Sequence, residues 1–164
     1  MSSLEARASC LVSPTSGMAN DYLNHFNEVL LMIENLPVLL PEMVDELVAW
    51  QPISYRAYFE RSNLPGSAHA LEIYDNLDED FRRDAETMID LLDKIVARSV
   101  AIITSHRRED GTLEAQDIAY ICPRLSEALR SALERMADMV NHGYGSPDER
   151  PQEMADRILA SISD

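Results

Sequence analysis

The stretch Asp78–Arg108, DEDFRRDAETMIDLLDKIVARSVAIITSHRR, decides how this chain folds. It contains neither Pro nor Gly. Phe81, Ala85, Met88, Leu92, Ile95, Ser99, Ile102 and His106 recur at alternating steps of three and four, the spacing of one helix face. Ile89, Val96, Val100 and Ile103 run as a second stripe beside the first. An apolar arc this wide is covered by more than one neighbour. Asp78, Glu79 and Asp80 stand where the positive end of the helix dipole falls, and Arg107 and Arg108 at its negative end. The spacing predicts one long helix over about 78–108, at the centre of a bundle.

Outward from it, Asp110-Gly111 marks a sharp turn, and a second long pattern runs over about 113–142. Ile118, Ile121, Leu125, Leu129, Ala132, Met136 and Val140 line one face. Pro123 falls inside and is expected to kink or split the helix, because its ring clashes with the preceding turn and its N–H is missing. A connection of about four residues makes the two long helices antiparallel neighbours. Before them, Asn20 or Asp21 caps a helix reaching about Asn35, with Tyr22, Phe26, Val29, Leu30 and Ile33 inward. Pro41 opens a short helix whose inner side is Met43, Val44, Leu47 and Val48. Ser54 and Ser67 read as caps of two more short helices. After Gly143 and a loop, Pro151 opens a last helix with Met154, Ala155, Ile158, Leu159 and Ile162 on one side. The expected fold is all-α, a bundle built on the antiparallel long pair with shorter helices around it. Residues 1–17, rich in Ser and Ala without periodicity, read as a disordered tail, and residues 18–164 as a single helical domain.

The totals agree with that class. At 164 residues the chain is long enough to bury a core without disulfide or metal support. Cys10 and Cys122 have no paired-ligand spacing, which fits a reducing cytoplasm. Thirteen of the fourteen basic residues are Arg, as in a GC-rich bacterial genome. No secretion or lipidation pattern is legible at the N-terminus, and no run of eighteen apolar residues occurs. The net charge of −15 repels phosphate backbones and anionic lipid, which disfavours direct nucleic-acid and membrane binding and admits a partner with a basic surface.

Three sets of residues could carry chemistry. The histidines His25, His69, His106 and His142 lack the Glu-x-x-His spacing of carboxylate-bridged metal bundles, so each reads as structural. His106 lies on the core register, yet Glu109 and Asp110 follow it and would repel a phosphoryl group. The acids Glu42, Asp45 and Glu46 on one helix and Glu86, Asp90 and Asp93 on another form the second set. All-α nucleotide pyrophosphohydrolases hold Mg²⁺ between such clusters so that a metal-bound water attacks phosphate. Here the Glu86-x-x-x-Asp90 step departs from their Glu-x-x-Asp, and the three acids fall opposite the Phe81–Ile102 stripe, facing solvent near Arg83 and Lys94. The third set is aromatic: Trp50, Tyr55, Tyr58 and Phe59 lie within ten positions, interleaved with Arg56. Trp, Tyr and Arg concentrate binding energy at interfaces, so this segment is either packing or a partner-binding anchor. With no nucleophile triad and no phosphate loop, the expected function is protein–protein interaction, as adaptor, regulator or inhibitor, without a cofactor. The alternative is the Mg²⁺-dependent phosphohydrolase. Self-association through the broad apolar arc is a further expectation.

Overall fold

The computed structural model describes residues 11–143 and 149–162. Among these are seven α-helices and no strand: α1 (Asn24–Glu34), α2 (Pro41–Ala49), α3 (Tyr55–Arg61), α4 (Ser67–Asp75), α5 (Glu79–Ser105), α6 (Ala115–His142) and α7 (Pro151–Ser161). Short 3-10 turns at Asn20–Leu23 and Leu36–Val38 lead into and out of α1. The antiparallel hairpin of α5 and α6 is the frame. α7 lies along α5, α1 lies along α6, and α3 and α4 pack on each other beside the entry to α1. This is the bundle expected from the long pair.

The apolar periodicities become the core. Phe81, Ala85, Met88, Leu92 and Ile95 are buried, as are Ile89, Val96 and Ile103 of the second stripe. Leu91, outside both predicted stripes, is buried too, because α5 is covered on more than one side. Ser99 sits in the core because its Oγ donates back to the Ile95 carbonyl at 2.7 Å, which satisfies the hydroxyl within its own helix. Every residue of the predicted α6 face, from Ile118 to Val140, is buried. Along α7, Met154, Ala155, Ile158 and Ile162 are buried, and Leu159 is half-buried.

Caps account for several ends. Asp78 accepts from the Phe81 N–H at 3.1 Å and starts α5, so residues 67–108 form two helices joined at Asn76–Asp78 rather than one. Ser54 caps α3 by accepting from the Ala57 N–H at 3.0 Å. The Ser67 cap is a correction. Gly66, with φ +87°, holds the cap position, and Ser67 is the first helical residue, its Oγ donating to the Leu64 carbonyl at 2.8 Å. Pro123 does not divide α6, which runs through it as one helix; the Ser126 hydroxyl donates to the Cys122 carbonyl at 2.8 Å in this turn.

The connection between α5 and α6 is longer than the expected four residues, because α5 stops at Ser105 and α6 starts at Ala115. The chain instead makes a tight antiparallel turn. Arg107 bridges Leu113, the Arg108 N–H donates to the Thr112 carbonyl at 2.9 Å, and Gly111 takes φ +84°. These extended residues consume the backbone groups that a longer helix would have used. Of the predicted tail, residues 1–10 lie outside the described residues. Residues 11–17 do not behave as a tail: Val12 and Ser16 are buried, and the Ser16 hydroxyl donates to the Val140 carbonyl near the end of α6.

Candidate functional site

The aromatic segment is core first. Tyr55 and Phe59 are buried, so both rings pack inside the bundle rather than standing open on its surface as anchors would. Tyr55 packs on Tyr22 at 5.4 Å, Phe59 at 4.8 Å and Tyr74 at 4.5 Å between ring centroids, and its hydroxyl accepts from the Ala19 N–H at 3.0 Å. Burial pushes the Tyr55 hydroxyl up to about 12. Tyr58 is half-buried and donates to the Asp21 carboxylate at 2.6 Å; burial and then that hydrogen bond push it up to about 12. Trp50, also half-buried, stacks on His25 at 4.5 Å and donates its indole N–H to the His25 carbonyl at 3.2 Å. His25 Nε2 lies 2.9 Å from the Gln51 carbonyl and donates to it; burial lowers the affinity of this ring for a second proton. Arg56 is exposed, but it pairs with Asp75 and Glu60. Packing of the short helices against the bundle therefore accounts for most of this cluster.

The two acidic sets do not converge. Asp45 pairs with Arg107 at 2.7 Å, beyond the C-terminal end of α5. Asp93 lies twelve helical residues before Ser105, about 18 Å along the axis. No group of three ligating side chains close enough to hold a metal ion occurs among the described residues. Glu86, Asp90 and Asp93 instead line one wall of a cleft of about 360 Å³, whose other walls include Pro52, Tyr55, Arg56 and Tyr74. The Tyr74 hydroxyl donates to Glu86 at 3.0 Å, and Lys94 pairs with Asp90 at 2.7 Å. Arg83 turns away to Asp80, 3.4 Å distant. Asp93 corrects the expectation that all three acids face solvent: its Oδ1 is buried without a hydrogen-bond partner. Burial, and then the charge of Asp90, push this carboxyl up to about 6.

His106 closes the end of α5. Its Nδ1 lies 3.0 Å from Asp117, and it lines a small cleft of about 110 Å³ with Tyr120 and Arg124. The Arg124 guanidinium sits 5.6 Å from the centre of the Tyr120 ring. Cys122 is half-buried, its thiol donating to the Ile33 carbonyl at 3.0 Å, and burial pushes its pKa upward.

The surface feature absent from the sequence reading is an apolar corner between α1 and α2. Leu31, Val38, Leu40 and Met43 are 59%, 75%, 62% and 41% exposed. All four lie on the last turns of α1, the connection, or the first turn of α2. Their sequence neighbours Leu30, Met32 and Leu39 are half-buried and pack against the core. Met43 corrects the predicted inner side of α2, which Val44 and Leu47 fill without it. The signal was there in LLMIENLPVLLPEM: more apolar residues than one helix face can bury. Comparison with protein families, curated proteins and solved structures finds no match.

Proposed function

We propose that this chain acts by binding another protein, as an adaptor, regulator or inhibitor. One observation carries the reading: large exposed apolar side chains concentrate at the α1–α2 corner, with Val38 and Leu40 more than half open to water. Water around such side chains is released on contact, at about 25 cal/mol per Å² of apolar surface covered. Singly scattered exposed apolar residues need no explanation, but a concentration of them is the usual mark of an interaction surface. The anchor thus moves from the Trp50–Phe59 segment, whose rings are spent on internal packing, to the corner one helix earlier.

A photo-cross-linking amino acid placed at Leu40, in cells that make the protein, tests this. Expected are discrete adducts with a second protein species. The same probe at Glu72, an exposed position on α4, should give none of them. Identical adducts from both positions, or an adduct of two copies of this chain alone, would overturn the reading.

A further inference from the structure

The charge around the apolar corner narrows what can cover it. From Phe26 to Tyr55 the chain has no Lys or Arg. Over the same residues it carries Glu28, Glu34, Glu42, Asp45 and Glu46. Two arginines reach in from elsewhere: Arg130 pairs with Glu34, and Arg107 with Asp45. Glu28, Glu42 and Glu46 are exposed and hold no ion pair among the described residues. Glu28 stands one turn before Leu31 on α1, and Glu46 one turn after Met43 on α2, so each shares a face with an exposed apolar residue. The corner is an apolar surface with an acidic border.

Resting on the protein-binding reading above, we infer that the occupant of this corner is a basic, amphipathic segment of another protein. Its apolar side chains cover Leu31, Val38, Leu40 and Met43, and its Lys or Arg residues meet Glu28, Glu42 and Glu46. A second copy of this chain fits poorly. A two-fold contact sets the same patch against itself, so the acidic border would face an identical acidic border. Anionic lipid is excluded by the same sign of charge. A basic partner instead gains the field of the whole molecule, which carries 29 acidic against 14 basic residues and speeds encounter at low salt.

The probe is a synthetic helical peptide of Leu and Lys with one apolar face, titrated by fluorescence anisotropy against the full chain. Its controls are the Leu/Glu peptide with the same apolar face and vesicles of phosphatidylcholine. Expected is binding of the Leu/Lys peptide alone. Val38→Ser with Leu40→Ser should weaken it tenfold or more, Glu42→Gln with Glu46→Gln several-fold, and Leu64→Ser, an exposed apolar residue on another surface, not at all. All these positions are exposed, and circular dichroism of each variant checks that the fold is kept. Affinity unmoved by the Val38 and Leu40 changes would overturn the site. Equal binding of the Leu/Glu peptide or of the vesicles would overturn the partner's chemistry. Should the peptide fail while Leu40 still cross-links to a second protein, the basic partner falls and the protein-binding reading stands.

Discussion

Asp93 is the residue at which helix periodicity misleads. Its register puts it beside Glu86 and Asp90 on the outer face of α5, but α3 and α4 fold back over that face and enclose one carboxylate oxygen. Nothing local in the sequence announces a cover that arrives from residues 52–74, and for the same reason Tyr55 and Phe59 look available in sequence and are buried in space. That enclosure carries a cost that depends on pH. The folded chain holds the Asp93 proton up to about pH 6, and the unfolded chain releases it near 4. Between those values the folded state binds more protons, so this group's contribution to stability falls as pH rises, and the loss is complete above about pH 6. Allowing for the screening its half-exposed position gives, the penalty is about 1 kcal/mol. Asp93→Asn should therefore be about 1 kcal/mol more stable than wild type at pH 7.5 and nearly equal to it at pH 4. Urea denaturation at both values measures this. A constant difference across the range would show that the carboxyl is not what the cleft penalises.

At the scale of elements, the hairpin was legible because α5 and α6 repeat their apolar pattern over many turns, and burial follows that pattern almost residue for residue. What was not legible is how the turn after α5 is fastened. By sequence Arg107 is a charge at the negative end of the helix dipole, but the helix ends at Ser105 and Arg107 lies beyond it. Its Nε donates to the Gly111 carbonyl at 3.0 Å, one Nη to the Pro41 carbonyl at 3.0 Å, and the other pairs with Asp45 at 2.7 Å. One guanidinium therefore ties the α5–α6 turn to the first residue of α2, over a sequence separation no periodicity reports. Gly111 is part of the same fastening. At φ +84° a side chain is strained, and a Cβ there would stand 3.2 Å from both Arg107 and Pro41. Charge-assisted hydrogen bonds of a mostly buried group are worth about 1.5–3 kcal/mol. Arg107→Ala should lower stability by about 2 kcal/mol, about 4–8 °C in Tm for a chain of this size. Arg107→Lys should recover less than half, because a single ammonium cannot serve three diverging acceptors. Calorimetry of the two variants decides it; full recovery by Lys would reduce the fastening to its ion pair with Asp45.

Across the whole molecule, two electrostatic effects oppose each other, and their sizes decide the outcome. The ion pairs, such as Lys94–Asp90 and Arg157–Glu149, lie mostly on exposed side chains, where each is worth between nothing and about 1 kcal/mol. Against them stands an excess of fifteen negative charges that no arrangement of fourteen bases can neutralise. At 10 mM salt the screening length is about 30 Å, comparable to the length of α5 at about 1.5 Å per residue, so acids at opposite ends of the bundle still repel. At 0.1 M the length is about 10 Å, and that repulsion is largely gone while contact pairs a few ångströms apart persist. Added NaCl should therefore stabilise this protein, by on the order of 1 kcal/mol or about 2–4 °C in Tm. The same salt should weaken a complex held by the acidic border of the α1–α2 corner, because there the long-range field is attractive. Scanning calorimetry of the free chain and anisotropy with the Leu/Lys peptide, over one NaCl series, should move in opposite directions. A Tm that falls with salt would mean that the surface ion pairs outweigh the excess charge. A complex that tightens with salt would mean that the apolar contact alone holds it.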